Sequence, residues 1–516
     1  MDGLKNAGVP VDQELAQLYA QWSEANQPFM GFWGNWPRYF EEMPLTQEQI
    51  QAAASRCGTA LVVIGRAAGE SRENTLEPGS YYLTDDEKAL LSRVTEAFEK
   101  TVVVIDAGSI LDLSWLEEYA VAGALLVWQG GMESGNAAAD LLTGRVNPCG
   151  KLTDTVAFRY EDYPSQNFLG QDYNQYTEDI YVGYRYFETF EKDAVQFPFG
   201  FGLSYTSFSL ENAQVKACGD RVRVRLDVRN TGSRPGREVA QVYARAPQGL
   251  LGKPQRTLCA FQKTKLLQPG ESQRLTLVFP VQSLASFDDS GATGHKNAWV
   301  LEAGSYELFV GADVRSAQPA GSVSLPELRV VEELQEVSAP TTAFDRLVNK
   351  NGRKALEPVP LAVRSLKERI VDNLPDELPF TGDKGIQLKD VALGLASLDD
   401  FAAQLSPEEL EALSHGDYIM GSPLGTAGNA AVMGGITESL RSKGVPPITT
   451  TDGPSGIRLQ YYCSLLPCGT CLACTWDPEL VESLYQSHGR EMVQKGTDVL
   501  LGPGMNIHRI PLCGRN

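Results

Sequence analysis

A few acids and arginines in this chain stand where loop chemistry is easy. Glu70 lies in Gly65-Arg-Ala-Ala-Gly-Glu-Ser-Arg-Glu-Asn74, directly after the apolar run Ala60–Ile64. A carboxyl in a Gly-bounded loop at the carboxyl end of a strand is held by the scaffold yet reachable, as acid–base work requires. Asp452, in Thr451-Asp-Gly-Pro-Ser-Gly-Ile-Arg458, follows a second strand-like run. An ionised carboxylate accepts hydrogen bonds only, and two neighbouring hydroxyls can share it. Asp-Gly is equally a common turn pair, so Asp452 also fits a loop cap. Asn506, His508, Arg509 and Arg515 sit on a third loop, Leu500–Asn516. His508 is read as a hydrogen-bonded structural residue.

Two further motifs carry less. Cys463, Cys468, Cys471 and Cys474 have metal-like spacing, but Leu466, Leu472, Ala473 and Trp476 interleave them as in a core segment. They are expected to pack as small apolar groups, without metal. Gly130-Gly-Met-Glu-Ser-Gly135 departs from the Gly-x-Gly-x-x-Gly fingerprint, so no nucleotide is expected. With only four histidines in 516 residues, a histidine-rich metal site is not expected, and neither is an organic cofactor.

The elements that must position these loops fall into blocks. Over residues 1–203, helix-like and strand-like runs alternate, which predicts a mostly parallel sheet covered on both faces. Helices are expected at 4–19, 46–56, 85–100, 114–120 and 135–142, and strands at 60–64, 101–106 and 122–129. Thr84-Asp-Asp-Glu87 and Ser406-Pro-Glu-Glu409 read as capping boxes. Over 204–333 the period becomes two, with turns at Asn230-Thr-Gly, Gln268-Pro-Gly and Glu302-Ala-Gly. About seven short strands there predict an immunoglobulin-like sandwich. Residues 334–395 read as a Pro-rich, charged connector with one short helix at 362–372. From 396 the βα alternation returns. Strands at 448–452 and 498–501, with a helix at 477–495 between them, look like the start of a (β/α)8 barrel. A whole barrel takes about 250 residues, so truncation is expected here, and at the start too, where no strand precedes the first helix.

Composition excludes several classes of partner. The net charge of −20 disfavours nucleic acid and anionic membrane surfaces. No apolar run nears the roughly 20 residues that span a bilayer. Nine cysteines, an odd number at low density, with no signal-like N-terminus, suggest a reducing, cytoplasmic setting. Oligomerisation stays open.

Taken together, the motifs resemble glycoside hydrolase family 3, in its reversed domain order. Val127–Glu133, Asn147–Leu152 and Asp179–Tyr186 resemble that family's α/β-sandwich domain, and Phe197–Tyr205 the entry to its fibronectin type III-like domain. Thr451–Arg458 and Leu500–Asn516 resemble the opening of its catalytic barrel. The resemblance implies a retaining β-glucosidase acting on terminal β-D-glucosides or oligosaccharides. Glu70 would be its acid/base in a partly dry pocket, and Asp452, Arg458, Arg509 and Arg515 would hold the sugar. A partner carboxylate is expected about 5–5.5 Å from the acid. The family's nucleophilic aspartate, in a Ser-Asp-Trp-like stretch, and its Lys-His pair do not occur here, so these 516 residues alone are expected not to turn over. Rival readings are a β-xylosidase of the same family and a non-catalytic carbohydrate-binding or scaffolding protein.

Overall fold

The computed structural model describes residues 1–30, 36–165 and 174–515. The α/β domain begins with helices α1 (Asp2–Asn6), α2 (Gln13–Ala25) and α3 (Gln47–Arg56). Where one amphipathic helix is expected over 4–19, two form, because Gly8 turns left-handed (φ 73°) and Pro10 cannot donate to a helix. The strands are β1 (Thr59–Arg66), β2 (Lys100–Ala107) and β3 (Gly123–Leu126). They form a parallel sheet in that order, with Val62 opposite Val103 and Ile64 opposite Ile105. Between the first two runs α4 (Asp85–Ala97), opened by the Thr84–Glu87 capping box, and α5 (Ser134–Leu142) follows β3.

Ile50 of α3 and Leu90, Leu91 and Val94 of α4 pack with Val62, Ile64, Val103 and Ile105 in one core. The opposite face of β1 is open: Leu61 and Val63 are 38% and 55% exposed. Among the described residues the sheet is therefore covered on one side at this strand, not on both as the sequence suggests. A short β4 (Val156–Ala157) and β5 (Val195–Phe197) pair beside α6 (Tyr184–Phe190).

The sandwich runs from β6 (Phe208–Cys218) and β7 (Arg221–Asn230) through β8 (Val239–Arg245), β9 (Thr257–Lys263) and β10 (Ser272–Pro280). It continues with β11 (Ser286–Asp288), β12 (Ala298–Leu301), β13 (Gly304–Gly311), β14 (Gln318–Leu325) and β15 (Arg329–Glu333). Sheets β10-β7-β6 and β14-β13-β8-β9 face each other over Val222, Val224, Leu226, Leu275, Leu277, Val242 and Leu308. Among the described residues β11-β12-β15 form a third, smaller sheet that strand counting does not anticipate. β8 is buried on both faces rather than half-buried, because Tyr184 and Phe199 of the α/β domain cover Tyr243 on its outer side.

The connector is more ordered than its composition implies. It holds a hairpin, β16 (Asp345–Lys350) and β17 (Arg353–Pro358), besides α7 (Leu366–Asp372) and α8 (Leu388–Ala392). Arg346 fixes the hairpin by pairing with Asp179, Asp289 and Glu357. Asp179 and Asp289 are long-range partners, invisible to local periodicity.

The last segment contains α9 (Leu398–Ala403), α10 (Pro407–His415), β18 (Ala431–Gly434), α11 (Glu438–Ser442), β19 (Pro447–Asp452), α12 (Gly469–Ala473), α13 (Pro478–Lys495) and β20 (Val499–Leu501). The Ser406–Glu409 capping box opens α10 as expected. β19 and β20 run parallel, with α13 between them in sequence, and β18 joins β19 antiparallel. Among the described residues the sheet is open, not a closed barrel.

Candidate active site

The loop carrying Glu70 is built outward from a buried ion pair. Arg66, the last residue of β1, donates two 2.7 Å hydrogen bonds to Glu87 at the start of α4, and both side chains are under 10% exposed. Arg66 Nε also donates to the Ser80 carbonyl, so one guanidinium fixes both ends of the loop from 67 to 83. Inside it, buried Asn74 donates to Ser109 Oγ at 2.6 Å and accepts from Ser80 Oγ. Ser71 has φ 58°, a left-handed conformation costly for a residue with a Cβ. Such strain beside Glu70 marks a backbone over-determined by its surroundings.

Those surroundings belong to the far end of the chain. Gly69 N–H donates to the Gly514 carbonyl at 2.7 Å, and Asn74 N–H donates to the Leu512 carbonyl at 2.7 Å. Arg515 Nη1 then lies 3.5 Å from Glu70 Oε1. A Cβ on Gly514 would come 2.4 Å from both the Gly69 and Arg72 carbonyl oxygens, so only glycine allows this approach. Two residues predicted for the site from separate motifs are thus neighbours. Both are about half exposed, Glu70 at 54% and Arg515 at 52%. The partly dry pocket expected around Glu70 is not formed by the described residues.

The other predicted residues are placed differently. Arg458 Nη2 lies 2.5 Å from Asp452 Oδ2, and the Gly453 amide donates to Asp452 Oδ1 at 2.8 Å. Asp452 therefore both caps its own turn and orients Arg458 at the carboxyl end of β19. Arg509 is clamped by Glu178 through Nε and through Nη2 at 3.0 Å, donates to Asn174 at 2.8 Å, and lies over the Tyr176 ring. Glu178 is buried, and this makes Arg509 an anchor between domains rather than an open sugar-binding group. Asn516, which ends the third loop motif, lies outside the described residues.

A cavity of about 1170 Å³ lies at the junction, lined among others by Gly69, Trp128, Asp154, Tyr163, His508 and Arg515. His508 Nδ1 sits 2.7 Å from Asp154 Oδ1. Burial works against charge on this imidazole, but the hydrogen bond and negative charge of Asp154 outweigh it and raise its pKa above the ordinary value. Cys471 and Cys474 pack at the same junction, where burial pushes their thiols up to about 12 and about 11. Among the described residues no group of three or more His, Cys, Asp or Glu could hold a metal ion. All nine cysteines are free, and no described helix is long and apolar enough to cross a membrane.

Sequence reasoning missed Asp154, Gly69 and Gly514, and it placed Trp476 in a core segment without its partners. Trp476, with φ 50°, donates to the Lys151 carbonyl at 3.0 Å and packs edge-on against Phe199 and Phe261. It joins the last segment to both other domains.

Residues 7–205 match the glycosyl hydrolase family 3 C-terminal domain, and residues 238–314 match a fibronectin type III-like domain. The whole chain aligns with a β-glucosidase from Ruminococcus albus at 44% identity, spanning 55% of that protein. A β-glucosidase A from Butyrivibrio fibrisolvens is 35% identical over 93% of this chain and 65% of its own length. Among solved structures, a β-glucosidase from Paenibacillus barengoltzii superposes on the whole chain with TM-score 0.96 and 47% identity, over 58% of that protein. The β-glucosidase 3B of Thermotoga neapolitana, solved with α-D-glucose, matches 64% of this chain and 46% of its own, with TM-score 0.58 and 39% identity. The chain thus spans under two thirds of the length of these relatives. Its α/β domain, its sandwich and its likeness to these proteins place it in glycoside hydrolase family 3.

Proposed function

We propose that this chain supplies the general acid/base and part of the sugar grip of a retaining β-glucosidase. The substrates are non-reducing terminal β-D-glucosyl residues of β-glucosides and oligosaccharides. The observation that carries the reading is the meeting of Glu70 with Arg515, held by hydrogen bonds between their two loops. A proton donor and a planar, multi-donor cation side by side at a loop junction suit a substrate with a glycosidic oxygen flanked by hydroxyls.

In this reading Glu70 protonates the departing oxygen, then takes a proton from the water that releases the glycosyl group. Arg515 keeps one nitrogen beside the Glu70 carboxylate and donates from the others to the sugar hydroxyls. Asp452 and Arg458 form a second polar pair that accepts from and donates to the ring hydroxyls. Arg509 serves the site by anchoring its loop. The partner carboxylate is assigned to no residue of this chain. Drying of the acid's pocket comes with bound sugar and with whatever else covers the junction. Free cysteines throughout support a cytoplasmic location.

The test is release of aglycone from aryl β-glucosides and aryl β-xylosides by the protein expressed from its full reading frame. Preferential glucoside cleavage with retained anomeric configuration supports the reading. Faster xyloside cleavage moves the specificity to xylose. Sugar binding without release from either would replace the enzyme by a binding protein.

A further inference from the structure

The loop from His508 to Arg515 is fastened to the α/β domain at every step. His508 pairs with Asp154, and Arg509 with Glu178. Ile510 and Leu512 are buried in an aromatic cluster with Tyr81, Tyr163 and Phe187. Gly514 then meets Gly69, and Arg515 meets Glu70. Asp154 itself stands on a rigid base. Lys151, three residues before it, donates from its amide to the Cys474 carbonyl and accepts from Trp476, while the Thr155 carbonyl accepts from the buried Tyr163 hydroxyl.

The electrostatics make the first fastening the unusual one. Asp154 is 8% exposed, and its Oδ2 is buried with no hydrogen-bond partner among the described residues. A buried carboxylate with one unsatisfied oxygen is costly unless a cation compensates it. The group on its other oxygen is His508. Removing that imidazole unfastens the loop at His508 and also strands the charge, and the lost tether alone lets the loop move away from the α/β domain. Because the loop is continuous from His508 to Arg515, such a movement displaces the pair at its far end.

We infer that His508, held by Asp154, is a positioning residue that sets Arg515 against Glu70 and so aims the proton donor at the glycosidic oxygen. The inference rests on the glycosidase reading above and adds a residue that acts through others. A purely structural role for His508 would lower the amount of active protein equally for all substrates. A positioning role falls hardest where proton donation matters most. Phenyl β-glucoside needs its leaving oxygen protonated; 2,4-dinitrophenyl β-glucoside does not.

The experiment compares kcat/KM for both substrates in the full-length protein, in His508→Ala, and in the double variant Asp154→Ala/His508→Ala. The double variant strands no charge, and it keeps the test open if the single variant fails to fold. The expected result is a loss of about tenfold or more on the phenyl glucoside and a several-fold smaller loss on the dinitrophenyl glucoside. Adding Arg515→Lys should shrink the loss caused by His508→Ala, since coupled residues are not additive. Equal losses on both substrates, or none in the double variant, overturn the positioning role. If the unmodified protein releases neither phenol, the glycosidase reading fails first and takes this inference with it.

Discussion

The Gly69 amide donates a 2.7 Å hydrogen bond to the Gly514 carbonyl, tying the loop after the first sheet strand to the end of the chain. This contact leaves no room for a side chain: a methyl at 514 meets two carbonyl oxygens at 2.4 Å. Gly514→Ala should therefore push the loops apart. Overpacking of this kind costs about 1–3 kcal/mol. Urea denaturation should show that loss, with a larger fractional loss of activity in the full-length protein than Gly489→Ala, where the added methyl meets nothing within 4 Å.

Glu70→Gln keeps the shape of the side chain and removes its proton. Turnover of phenyl β-glucoside should fall by about 10²–10⁴, while glucose binding measured by calorimetry changes little. Parallel loss of both would make Glu70 a binding residue instead.

Trp476 is 4% exposed and packs on Phe199 of one domain and Phe261 of another. Trp476→Ala leaves a cavity where three parts of the chain meet, and a large aromatic truncation in a core costs about 3–5 kcal/mol. Chemical denaturation followed by intrinsic fluorescence checks this. Separate transitions for the sandwich and the α/β domain are expected in the variant, because the shared contact is what couples them.

His508 gives the fold a pH dependence with a defined sign. Asp154 raises its pKa in the folded state above the unfolded value. The stabilisation is complete below the unfolded imidazole pKa, about 6.5, and is lost as pH rises through the folded value. The urea midpoint should therefore fall as the pH is raised above about 6.5. In His508→Gln this drop should shrink; an unchanged slope would assign the titration to another group.

Much of the secondary structure is legible in the residues alone. Val62, Ile64, Val103 and Ile105 mark two strands by their apolar, β-branched run, and Thr84–Glu87 and Ser406–Glu409 mark helix starts through reciprocal caps. These signals are local: each depends on residues within one turn or one strand. The hairpin at 345–358 escapes the same reading because its anchor, Arg346, finds its acids at 179 and 289 as well as at 357. The open face of β1 escapes it too, since periodicity reports what a strand can bury, not what covers it.

The site divides in the same way. Residue types and loop positions singled out Glu70, Asp452 and Arg515 as capable of acid–base chemistry and hydroxyl binding, and the family resemblance gave each a role. Arg509 lies on the same rim loop as Arg515, and only the folded chain shows Glu178 clamping it. Chemistry is a property of the side chain, so sequence determines it. Proximity between loops is carried here by backbone groups, which are alike at every residue, and by a buried charge whose partner lies hundreds of positions away. The tertiary structure alone decides that Gly69 meets Gly514, that Asp154 holds His508, and that Glu70 therefore faces Arg515.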